Sequence, residues 1–285
     1  MKVLEDKINI LNSNYVESLK DDEIDELNKS YYYNYYKNYF IKYNDKIYHY
    51  KSEKNSDIIF LVNELIGQII SRNFYLPINS SKLFKDEHDN YFLLTENFIE
   101  KGHKYKNISN DIFPNLCFYG FCPSRLEINN LDNFGFIRET CGKKINKTDK
   151  SDLIKLLYNL KGMIISDFIR NHKDRILINF MIEVNETHVK LCPLYDFESS
   201  FLLANMYPDD NTFNFNLKDK EVVKYIRKDN DFQKLLYIAT NINFDRVLEE
   251  LFDLYGIVFS DEEKSDYSNI IESNKKMIKK YKLLR

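Results

Sequence analysis

Between His172 and Asp196 the chain carries an order of residues that few folds accommodate. Asp174 is followed five positions on by Asn179, then by two strand-forming runs, Phe180 to Val184 and His188 to Leu194, and finally by Asp196. Asn185-Glu186 separates the runs where a hairpin turn is expected, and such a turn folds Asp196 back towards Asn179. In front of this segment Leu153, Ile154, Leu156, Leu157, Leu160, Ile164, Ile165 and Phe168 recur at helical spacing, with Thr148 placed to cap the helix. The pattern predicts a long helix, a loop, a hairpin, and three oxygen-bearing side chains in convergence.

Hard oxygen ligands in one place suit phosphoryl transfer, which needs a hydroxyl aimed in line and a cation to neutralise the phosphates, and little covalent help from the protein. Asp174 suits the first task. Asn179 and Asp196 suit the second, since magnesium is usually held by one or two carboxylates together with substrate phosphates. An Asp and an Asn five apart recur by chance in many proteins. The weight therefore rests on the helix, the hairpin and the terminal Asp around them.

Such chemistry also needs a cation on the phosphates, and the first hundred residues offer one. Residues 31 to 51, YYYNYYKNYFIKYNDKIYHYK, are rich in aromatic strand formers and are interrupted by Asn44-Asp45, which predicts a hairpin. Ser56 or Asp57 then caps a helix marked by Ile58, Ile59, Leu61, Val62, Leu65, Ile66, Ile69 and Ile70, and Pro77 ends its exit loop. A further strand, Tyr91 to Leu94, follows the turn residues 86 to 90. Lys51 closes the second strand of the aromatic hairpin, and Glu64 lies thirteen residues later on the helix. A carboxylate among Leu61, Val62, Leu65 and Ile66 is costly to bury without a partner, and Lys51 is the nearest candidate. Lys54 competes for that role, and a solvated surface position is the plainer fate of any lysine.

Residues from about 95 to 148 read as irregular, broken by Gly102, Pro114, Gly120, Pro123, Gly135 and Gly142. From about Lys218 onwards the chain reads as helices, with groups such as Leu235, Leu236, Ile238 and Val247, Leu248, Leu251, Phe252. No repeat and no Gly/Ser-rich or Pro-rich linker divides it. The expected architecture is α+β and bilobed: residues 1–98 as an N-lobe of small sheet plus helix with an N-terminal extension, and 99–285 as a larger, mainly helical C-lobe.

Composition narrows the partners. The 285 residues include 41 basic and 44 acidic ones, a formal charge of -3, scattered instead of gathered in a stripe, which argues against nucleic acid. Cys117, Cys122, Cys141 and Cys192 form no Cys-x-x-Cys pair and read as reduced thiols; His103 with Cys117 and Cys122 fits no common zinc spacing. No stretch approaches the roughly 18 apolar residues a membrane span needs, and the start, MKVLEDKINILNS, lacks the apolar core of a signal peptide. A cytoplasmic address is expected; the alternative, export by a leaderless route, leaves no trace in a sequence.

These motifs resemble the HipA-like and CtkA-like branch of the protein kinase superfamily. The resemblance rests on the helix followed by Asp174-x-x-x-x-Asn179, on the Asp174-Arg175 pair, and on PLYDFESS around Asp196. It extends to the order Lys51, Glu64 and then Leu93 to Phe98 as the connection between lobes. It implies a bilobed kinase fold and transfer from Mg-ATP to a Ser or Thr of a protein, often the kinase itself. It further implies Asp174 as the catalytic Asp, Asn179 and Asp196 on magnesium, Lys51 on the phosphates steadied by Glu64, and backbone near Glu96, Asn97 and Phe98 against adenine. Two departures stand out: residues 28 to 40 contain no glycine where the phosphate loop is expected, and Glu198 replaces the glycine of Asp-Phe-Gly. Asp-Phe-Glu also occurs in small-molecule kinases of the aminoglycoside and choline type, and a missing phosphate loop suits a catalytically silent scaffold. His172 reads as structural, and Arg175 as either a charge partner or a solvated residue.

Overall fold

A computed structural model of the chain describes residues 1–10, 16–18, 40–52, 58–99, 105–107, 150–172, 180–184, 188–197, 200–201 and 220–285. The aromatic segment forms the expected hairpin, β4 (Phe40–Tyr43) with β5 (Lys46–Ser52). Its turn residues Asn44 and Asp45 both take positive φ, 49° and 61°, which is the geometry a two-residue hairpin loop of matching twist requires. The strand predicted at Tyr91 is β7 (Tyr91–Glu96), antiparallel to β5. Before it, the Asp86 carboxylate accepts from the backbone N–H of His88 and of Asn90, 2.9 Å each, and pins the turn.

The sheet is larger than the sequence suggested. β6 (Ser81–Lys85) lies antiparallel to β7, β2 (Asn9–Ile10) runs parallel to β6, and β3 (Val16–Ser18) pairs with β4, giving the order β2-β6-β7-β5-β4-β3. One face is an aromatic cluster built on Tyr48, Phe84, Phe92 and Leu94, and the other receives α1 (Ile58–Asn73). Every residue of α1 from Leu61 to Ser71 is buried, polar ones included, so the helix is enclosed on all sides and does not merely lie on the sheet.

The helix predicted before Asp174 is α2 (Lys150–Ile169). Leu156, Leu160, Met163, Ile164, Ile165 and Phe168 are buried in the main core, but Ile154 is 58% exposed, contrary to its place in the predicted apolar face. Two residues before Leu156 is about 200° around a helix, which puts Ile154 on the opposite side. After it come β9 (Met181–Val184) and β10 (Val189–Leu191), the expected antiparallel pair. A third strand, β8 (Tyr105–Asn107), joins them from the stretch read as irregular.

The C-terminal part is helical as expected: α3 (Lys220–Lys228), α4 (Asn230–Thr240), α5 (Phe244–Tyr255) and α6 (Asp261–Lys280). Local signals set their limits. Asp229 caps α4, accepting from the N–H groups of Asp231 and Phe232; Gly256 ends α5 at φ 64°; Ser260 and Glu263 form a capping box on α6. Between α5 and α6, β11 (Ile257–Val258) pairs with β1 (Lys2–Val3), a contact no periodicity announces. Among the described residues no helix is long and apolar enough to cross a membrane.

Candidate active site

Lys51 stands on β5 directly across from Leu93, with its ammonium turned to α1. Its Nζ donates to Glu64 Oε2 at 3.0 Å and to Asp196 Oδ1 at 2.9 Å. The three side chains become steadily more open along that line: 4% exposed at Glu64, 17% at Lys51 and 27% at Asp196. A buried carboxylate needs several donors, and Glu64 has them. Besides Lys51 it accepts from the backbone N–H of Phe197 at 2.7 Å and from Gln68 Nε2 at 3.4 Å.

Asp196 reaches this point because the end of its strand is fastened to the exit of α1. Leu194 donates its N–H to Pro77 O at 2.8 Å and bridges Ile78, so the chain after β10 tracks the connection between α1 and β6. Asp196 then adopts φ 63°, a left-handed conformation that Asp tolerates better than most residues. That reversal aims the N–H of Phe197 at Glu64 while leaving the Asp196 carboxylate beside Lys51.

Phe197 is fully buried against Gly67 of α1. A Cβ at Gly67 would sit 2.4 Å from Phe197 Cβ, so only glycine permits this approach. Below the ring the guanidinium of Arg170 lies 4.6 Å from its centroid. Arg170 itself is fully buried, bonded to the Asp167 carboxylate and to the hydroxyls of Ser166 and Ser71. The end of α2, the end of β10 and the middle of α1 therefore meet around one phenylalanine.

The described residues on either side of positions 173–179, His172 and Phe180, are buried as well. His172 is 2% exposed, donates its N–H to Asp167 O at 2.8 Å, and has Nδ1 3.2 Å from Ser200 Oγ, a structural arrangement. Phe180 is fully buried at the other end. Asp174, Arg175, Asn179, the turn at Asn185-Glu186 and Glu198 lie outside the described residues, as do Lys54, the capping positions Ser56, Asp57 and Thr148, Tyr31 to Tyr36, and His103, Cys117, Cys122 and Cys141. Cys192 is buried, and burial pushes its thiol well above the usual range, which suits an inert residue.

The connection after β7 is partly engaged in its own structure. Glu96 O accepts from Asn79 Nδ2 at 2.8 Å, Asn97 N–H donates to Ile47 O at 3.0 Å, and Phe98 O accepts from the Tyr105 hydroxyl at 3.2 Å. A carbonyl oxygen keeps a second lone pair for a ligand. The Phe98 ring stacks at 6.3 Å on Tyr195, the residue before Asp196, so this connection and the Asp196 strand share an aromatic contact.

On the same strand as Lys51, His49 is half-buried with its ring edge-on to Phe40 at 5.5 Å. Burial, and then the Lys51 charge, lower it from the ordinary 6.5 to about 4. The folded state therefore binds fewer protons than the unfolded chain between these values, and stability rises with pH in that interval. It is full above pH 6.5 and falls by about 2 kcal/mol towards pH 4 once partial exposure is allowed for. The expected result is that the difference in unfolding free energy between wild type and His49→Phe changes between pH 4 and 6.5, and is flat above it, in urea titrations.

Sequence reasoning found Lys51, Glu64 and Asp196, which the fold brings together. It passed over Gly67, Gln68 and Arg170. A lone glycine inside a helical pattern is a signal of close packing, and a glutamine four residues after a buried glutamate is a candidate partner for it.

The arrangement is that of a kinase-like α+β fold, in which a strand lysine lies between a helix carboxylate and an Asp that follows a hairpin. The solved structures it matches include the Helicobacter pylori proinflammatory kinase CtkA, with TM-score 0.57 and 13% identity over 85% of this chain and 88% of that one. HipA of Shewanella oneidensis MR-1, solved with HipB and operator DNA of its toxin–antitoxin system, matches with TM-score 0.53 and 12% identity over 85% of this chain and 60% of that one. At such identities the likeness is one of fold. No family profile and no curated protein matches the chain.

Proposed function

We propose that the chain is a protein kinase of the HipA and CtkA kind, moving the γ-phosphoryl group of ATP to a Ser or Thr hydroxyl of a protein, with itself among the acceptors. The observation that carries this is Lys51 held between Glu64 and Asp196. A lysine fixed by a buried carboxylate is a preorganised cation for phosphate oxygens, and its geometry costs no reordering when substrate arrives. Asp196 offers a partly exposed hard oxygen, the donor type magnesium takes, and Asn179 adds a second. Magnesium, when bound, neutralises charge on the phosphates.

The residues of the chain divide the remaining work. Lys51 binds phosphate oxygens; Glu64 and the Phe197 N–H keep it and Asp196 in register. Asp174 orients the acceptor hydroxyl and takes up its proton at the carboxylate. Backbone groups of Glu96, Asn97 and Phe98 receive the adenine edge. A protein acceptor in the cytoplasm accords with the unremarkable net charge, which gives nucleic acid no electrostatic footing.

Incubation with γ-labelled ATP and magnesium tests this reading. Label on protein, either this chain or an added acceptor, is the expected result. Label on a soluble metabolite alone means a small-molecule kinase. The absence of glycine from residues 28 to 40 favours one competitor, a silent scaffold. No transfer and no rise in melting temperature with Mg-ATP would establish it.

A further inference from the structure

Glu64 is held from one side by Lys51 and Phe197, but its second oxygen looks the other way, into a buried polar chain that leads to the C-terminal helices. Gln68 Nε2 lies 3.4 Å from Glu64 Oε1 and 2.7 Å from Ser81 Oγ. The other end of the same amide, Oε1, accepts the Ser81 N–H at 3.2 Å. Ser81 thus fixes both ends of the Gln68 side chain. Ser81 O in turn accepts the Tyr255 hydroxyl at 3.0 Å, from the last turn of α5. Glu64, Gln68, Ser81 and Tyr255 are all buried, so each of these bonds is costly to leave unmade.

We propose that Tyr255, through Ser81 and Gln68, is a positioning residue for the Lys51–Glu64 pair, so that the C-terminal helices help set the geometry of the phosphate-binding lysine. Gln68 touches neither Lys51 nor any reacting group; it acts by fixing the rotamer of Glu64. Burial holds the Tyr255 phenol above its ordinary range, and the hydroxyl stays a donor at any working pH. A second tyrosine acts in parallel next to Glu64: the Tyr267 hydroxyl of α6 donates to Asn63 Oδ1 at 2.8 Å. The helix that carries Glu64 is therefore pinned by two separate C-terminal helices, at Asn63 and by way of Ser81.

The inference rests on the reading of Lys51 and Glu64 given above, and its test avoids nucleotide so that the two stand or fall separately. The full-length protein is treated with a water-soluble succinimidyl acetate, and acylation of Lys51 is followed by peptide mass spectrometry against the exposed Lys264. Gln68→Leu should raise the Lys51 rate about fivefold and Tyr255→Phe about two- to threefold, the scale of one lost hydrogen bond in the first case and of an indirect one in the second. Arg72→Ala removes a different contact between α1 and α5, the 2.8 Å pair with Glu250, and should leave Lys51 unchanged. Ser81→Ala, which keeps the backbone, serves in place of Gln68→Leu if that variant fails to fold. An unchanged Lys51 rate in Tyr255→Phe overturns the link to the C-terminal helices even if Gln68→Leu responds. An equal rise in Arg72→Ala overturns it too, because general loosening then accounts for the effect. Loss of ATP binding in the wild type leaves this result untouched and removes only the kinase reading.

Discussion

Asp196→Ala is expected to lower transfer of label from Mg-ATP to protein by at least roughly a hundredfold, the scale seen when one charge-stabilising group is removed from an active site. The fold should survive the change. Asp196 is among the more open members of the site, and Lys51 keeps its bond to Glu64 when the aspartate is gone. A melting temperature close to wild type together with a collapsed rate separates a chemical defect from a structural one. On the roles proposed above, Asp174→Ala should fall as far. Wild-type rates in either variant would rule out the assignment of roles, while leaving the fold as it is.

Arg170→Leu is expected to cost about 3–5 kcal/mol of stability, because it takes the guanidinium away from the fully buried Asp167 carboxylate, the penalty expected when one member of a buried ion pair is removed. The loss extends to two serine hydroxyls and to the face of Phe197. Urea unfolding of Arg170→Leu and of the double variant Asp167→Leu/Arg170→Leu makes the point quantitative. Removing both charges should recover a large part of the loss, since a buried pair is worth little over an apolar replacement while removing one member of it is expensive. A double variant no better than the single one would mean that the guanidinium acts through Phe197 and the serines instead.

What the sequence made readable follows from the range of the forces involved. Lys51 and Glu64 were found because each sits in a regular element whose period is visible, and because a glutamate on an apolar stripe demands a partner. Asp196 was found because a hairpin has few ways to turn. The fit of Phe197 into the gap over Gly67 has no such signature: it joins residues whose separation in sequence carries no pattern. The same is true of Tyr255 and Ser81, and of Arg170, which ends an apolar helix where a surface arginine is the ordinary expectation. β1, β2 and β11 are two residues each, too short for any alternation to register, and Ser81 to Lys85 hid its buried positions between lysines.

The pairing of Lys2 and Val3 with Ile257 and Val258 has a consequence for how the molecule comes into being. Residues this far apart in sequence must wait for the whole stretch between them before they find their neighbours. The Met1 ammonium and Glu263 are 262 positions apart, Tyr255 and Ser81 are 174, and Lys51 and Asp196 are 145. Loops of that span close late and slowly. The bond between Lys51 and Asp196 therefore forms only after the long stretch between the two residues has been made and folded.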